Sequence, residues 1–143
     1  MRRMLLFSVV FLTACAFFKS DPSEKVIPRA DLRALTDQFN AAVAGDSELS
    51  SIFGIFKATG TKRPDTEPFG TLAINRKTWG ELSAPERTRL VKKVAGVFTG
   101  VFLQLPVRVA ETATVYLVDR GSDLGWFHAR AAQGDYLYKI SGQ

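Results

Sequence analysis

Residues 82–106 read LSAPERTRLVKKVAGVFTGVFLQLP, and they contain one complete helix with its start and stop written out. Ser83 is a good N-cap, Pro85 fits the first turn and Glu86 stands three residues after the serine, as in a capping box. Leu90, Val94, Val97, Phe98, Val101 and Leu105 recur at helical spacing and form a wide apolar stripe. Pro106 cannot continue the pattern, so the helix ends at about Leu103 or Leu105. A stripe of that width suits a helix laid on a sheet.

The chain on either side supplies the sheet. Downstream, Thr112–Asp119 (TATVYLVD) is rich in β-branched and aromatic residues and reads as a strand. Arg120-Gly121-Ser122-Asp123 is a turn signal, Trp126–Ala131 returns as the second arm of a hairpin, Gly134-Asp135 turns again, and Tyr136–Ile140 is a final strand. Upstream, residues 69–75 (FGTLAIN) alternate in polarity as a strand does, after a loop over 58–68 broken by Gly60, Pro64 and Pro68. Earlier still, Pro28 opens a helix with Leu32, Leu35, Phe39 and Val43 on one face, and Gly45 closes it. Leu49, Ile52, Phe53 and Phe56 predict a second short helix over about 47–57. The fold class expected is α+β: an N-terminal helical hairpin, then strand-helix-strand-strand-strand, with an antiparallel sheet covered by helices on one face. No internal repeat is visible.

The start of the chain carries the strongest functional signal. Arg2 and Arg3 precede the apolar run Met4–Leu12, and Leu12-Thr13-Ala14-Cys15 follows with the only cysteine. This arrangement resembles the signal sequence of bacterial lipoproteins. The resemblance implies that Cys15 is lipidated and becomes the first residue of the mature chain, held by several acyl chains. Sulfur suits the task because a thiolate is a strong nucleophile. Three other readings compete: an uncut membrane helix, a secreted protein cut near Ala14 or Ala16, and a plain buried thiol. The apolar stretch from Met4 to Phe18 has 15 residues, whereas a spanning helix needs about 20. By the same resemblance Ala16, rather than aspartate, after the cysteine implies the outer membrane facing the periplasm in a diderm host, and the outer face of the cell membrane in a monoderm one.

The expected organisation is therefore a signal peptide over 1–14, a lipidated end and polar tether over 15–27, and one domain over 28–143. Without residues 1–14 the 19 basic residues fall to 17 against 14 acidic ones, a net charge of about +3. That balance argues for no nucleic-acid partner. With Cys15 lipidated no disulfide is possible, and the fold rests on its core.

Chemistry is sparse in the rest. His128 is the single histidine. In an alternating strand it shares a face with Trp126 and Arg130, opposite Phe127, Ala129 and Ala131. A hydrolytic site would need His128 with a carboxylate such as Asp119 or Asp123. One histidine makes a zinc site poor, and Gly54, Gly60 and Gly70 do not form a phosphate loop; no cofactor is expected. Arg87, Arg89, Lys92 and Lys93 crowd the first half of the long helix, against its dipole, and are a candidate patch for anionic surfaces. Trp126, Tyr136 and Tyr138 are a candidate aromatic contact face for a sugar or a protein. The function expected is a lipid-anchored, non-enzymatic interaction or assembly module of the cell envelope, its partners the membrane through the anchor and envelope proteins or wall polymer. The alternatives are a cell-wall hydrolase or an inhibitor of one, and an anionic membrane-surface binder.

Overall fold

The computed structural model describes residues 29–58, 70–105 and 111–143. Cys15, the signal peptide, the tether and the loop over 59–69 lie outside them. Helix α1 (Arg29–Ala44) buries Leu35, Phe39 and Val43 on the predicted face. The Gly45 amide closes it by donating to the Ala41 carbonyl at 2.9 Å. Asp46 then caps α2 (Ser47–Ile52), its Oδ1 accepting from the Glu48 and Leu49 amides at 3.0 and 3.1 Å.

The second helix is shorter than expected, and its predicted C-terminal half is a strand, β1 (Phe53–Ala58). The physical reason is a register irregularity between Phe53 and Phe56. An extra residue lets two side chains three apart face the same way. Phe53 and Phe56 are both buried while Gly54 and Ile55 between them are exposed, so a bulged strand imitates a helix in its spacing. The helical hairpin is thus a helix followed by a single-turn stub.

Strand β2 (Gly70–Ile74) pairs antiparallel with β1. Asn75 caps α3 (Arg76–Glu81), accepting from the Thr78 amide, and α3 buries Trp79. Helix α4 (Ala84–Gln104) begins with the predicted capping box: Ser83 Oγ accepts the Glu86 amide at 3.4 Å, and Glu86 Oε2 accepts the Ser83 amide at 2.9 Å. It returns the chain to the same end of the sheet, so β3 (Thr112–Asp119) runs parallel to β2. The sheet is therefore mixed, not wholly antiparallel as expected; a long helical crossover permits parallel neighbours where a tight turn does not. Strands β4 (Ser122–Arg130) and β5 (Asp135–Ile140) complete an antiparallel meander, giving five strands in the order β1-β2-β3-β4-β5.

Both long helices cover one face, α1 against β1 and α4 against β4 and β5. Phe39, Phe56, Phe98 and Phe127 are fully buried between the layers. Phe98 meets Phe39, Phe56 and Phe127 edge-on at 5.1, 5.6 and 5.4 Å, a favoured geometry for ring quadrupoles. The buried Thr99 hydroxyl donates back to the Ala95 carbonyl at 2.8 Å. The α+β class holds, with a fifth strand taken from the predicted second helix.

Candidate functional site

Three of the four cations of α4 engage its neighbours. Arg87 lays its guanidinium carbon 5.4 Å from the centre of the Trp79 ring, and its Nε donates to the Trp79 carbonyl at 3.0 Å, near the C-terminal end of α3. Arg89 grips Glu48 with Nη1 at 2.7 Å and Nη2 at 3.3 Å. Lys93 Nζ lies 3.0 Å from Asp46 Oδ2 and 3.3 Å from Glu48 Oε1. Arg89 and then Lys93 hold the Glu48 carboxyl below its ordinary range, while the Leu49 amide and then Lys93 do the same to Asp46. Only Lys92 of the four has no partner among the described residues. Two of the four residues of the expected anionic-surface patch, Arg89 and Lys93, thus also join α4 to the start of α2. Cations placed against the α4 dipole are offset by carboxylates that only the fold brings beside them.

The aromatic face also divides. Trp126 is opposite Lys139 in the ladder, whereas Tyr138 is opposite Phe127 and Tyr136 opposite Ala129. Directly opposed residues share a side of the sheet. Tyr136 and Tyr138 therefore belong to the helix-covered side, Tyr136 packing near Gly96 of α4 and Tyr138 left 39% exposed at the sheet edge. Trp126 is on the opposite side. Alternation predicted its companions correctly: His128 and Arg130 share that side, and Phe127, Ala129 and Ala131 are buried on the other.

No described helix packs on the second side of the sheet. Across its middle run Thr71, Tyr116, Trp126 and Lys139, each opposite the next. The adjacent row is Thr114, His128 and Leu137, with the Thr114 hydroxyl 2.7 Å from His128 Nδ1. Beyond it Arg130 binds Asp135 at two points, Nε to Oδ1 at 2.8 Å and Nη2 to Oδ2 at 2.6 Å. That bond holds the Asp135 carboxyl below its ordinary range. Asp119 and Asp123 are near the far end of the strands, five and four ladder positions beyond the Thr114–His128 pair. At about 3.3 Å per residue the separation is roughly 13–17 Å. Asp123 is engaged locally, its Oδ1 accepting the Gly125 amide at 3.0 Å. The three residues weighed for hydrolysis do not converge. Among the described residues no three His, Cys, Asp or Glu gather as metal ligands.

One cleft was not anticipated. At the carboxyl ends of the parallel pair, Ile74, Asn75, Arg76, Lys77, Asp119 and Arg120 line an open cleft of about 500 Å³. Arg76 Nη1 lies 3.8 Å from Asp119 Oδ2, the arginine 73% exposed and the aspartate 14%. Arg120 and Gly121 form the two-residue β3–β4 turn with φ of +47° and +84°, the primed geometry that suits the twist of a hairpin. The turn signal at Arg120-Gly121 was legible in the sequence. That it faces Arg76 and Lys77, more than 40 residues earlier, was not.

No known protein family, curated protein or solved structure matches this chain. No described helix is long and apolar enough to cross a membrane.

Proposed function

We propose that the chain is an envelope lipoprotein, anchored through lipid on Cys15, whose folded part is a non-enzymatic interaction or assembly module on the periplasmic side of the outer membrane. The observation that carries this reading is Leu12-Thr13-Ala14-Cys15 behind two arginines and an apolar run. Support for a binding role comes from the side of the sheet that no described helix covers. It presents Tyr116 and Trp126 half-buried at its centre, with the exposed Leu137, Lys139 and the Arg130–Asp135 pair around them. Aromatic bodies with polar tips are the groups that interfaces favour.

Growth with labelled palmitate tests the anchor. Label is expected on the wild-type product and absent after Cys15→Ser. An unlabelled wild type, or a serine variant that keeps the label, removes the reading.

A further inference from the structure

We propose that the cleft at the carboxyl ends of β2 and β3 binds a phosphate group carried on a small polyol. Three cations, Arg76, Lys77 and Arg120, face one carboxylate, Asp119, across about 500 Å³. The excess is two positive charges. Neither Lys77 nor Arg120 has an ion-pair partner among the described residues, and Arg76 reaches Asp119 only at 3.8 Å. Asn75 spends its side-chain oxygen on the Thr78 amide, which leaves its NH2 to donate. Donors on several sides of a cleft suit an anion with three oxygens, and the guanidinium fork matches phosphate geometry. Asp119 would repel an anion placed against it, but it accepts well from a hydroxyl beside one. The volume holds a phosphate with a short chain of hydroxylated carbons.

The backbone supplies an independent argument. The first position of a primed two-residue turn requires positive φ and is normally glycine, asparagine or aspartate. Arginine there, at φ +47°, costs backbone energy that glycine, which has no β-carbon, would avoid. Strain of this kind persists where the side chain is needed.

The source of the phosphate is either a soluble polyol phosphate or a glycerol-bearing lipid headgroup. The test uses the full chain in neutral detergent, titrated with glycerol 3-phosphate while the amides of residues 76, 77, 120 and 121 are followed by NMR. A parallel sample compares nanodiscs of phosphatidylglycerol and phosphatidylcholine. Saturable shifts with a Kd in about the millimolar range assign a soluble polyol phosphate. Shifts of the same amides only in phosphatidylglycerol assign the headgroup. Arg120→Gly keeps the turn geometry and should fold at least as stably, yet weaken binding about tenfold, as should Lys77→Gln. If neither probe moves these amides, or both variants bind like the wild type, the assignment is overturned. The micelle arm does not depend on lipid at Cys15, so the anchor and the cleft fail separately.

Discussion

The Asn40 amide stands in for a missing neighbour beside β1. From α1 it donates to the Phe56 carbonyl at 3.1 Å and accepts the Phe56 amide at 2.8 Å, satisfying an edge strand that has no further strand partner among the described residues. Buried backbone groups left unpaired are costly. Asn40→Ala should lower the unfolding free energy by about 1–3 kcal/mol, read from the urea midpoint, and Asn40→Asp, which sets a carboxylate oxygen against the Phe56 carbonyl, should not recover that loss. Arg120 shows the opposite trade, a strained backbone kept for its side chain. Neither role was visible in the sequence, because Asn40 there is one polar residue on a helix and Arg120 one residue of a turn.

Among elements, α4 was fully legible because its signals are local. The cap, the capping-box glutamate, the apolar stripe and the terminating proline all lie within one window of 25 residues. Ser83→Ala should destabilise by about 1 kcal/mol. Gly100, where a β-carbon would meet nothing within 4 Å, is a helix-interior glycine with room to spare. Gly100→Ala should therefore stabilise by roughly 0.5–1 kcal/mol, and thermal unfolding should show the two variants moving Tm in opposite directions. The α2–β1 segment was misread for an equally local reason. Ile52, Phe53 and Phe56 satisfy a helical stripe and a bulged strand alike, and only pairing with β2 and Asn40 chooses between them.

At the scale of the whole molecule, charge joins helix to helix and strand to strand and makes stability depend on acid. Among the described residues four carboxyls are held low in the folded protein: Asp46 chiefly by the Leu49 amide, Glu48 by Arg89, Glu86 by the Ser83 amide and Asp135 by Arg130. The unfolded chain, with ordinary values of 3.8 for aspartate and 4.5 for glutamate, binds protons first as pH falls. The stabilisation is therefore present above those values and lost as pH drops through the lowered ones. Urea midpoints should fall between about pH 6 and about pH 3. Lys93→Met, which removes a shared partner of Asp46 and Glu48, should lower the upper plateau and shrink the acid-induced drop. A variant with the wild-type drop would show that this joint contributes nothing.

What the sequence determined by itself is what neighbours in the chain decide: the α+β class, the capped helix, the tight hairpin and the alternation that separates Trp126 from Phe127; the string Leu12-Thr13-Ala14-Cys15 motivates the proposed anchor. The tertiary structure alone decided which partners meet. It turned β3 parallel to β2, paired Arg89 and Lys93 with Glu48 and Asp46, set Trp126 against the tyrosines' side, and gathered Arg76, Lys77 and Arg120 around one cleft. Periodicity records the face each side chain takes within its own element. Strand order and helix docking depend on burying several faces at once, and that condition is written in no single segment.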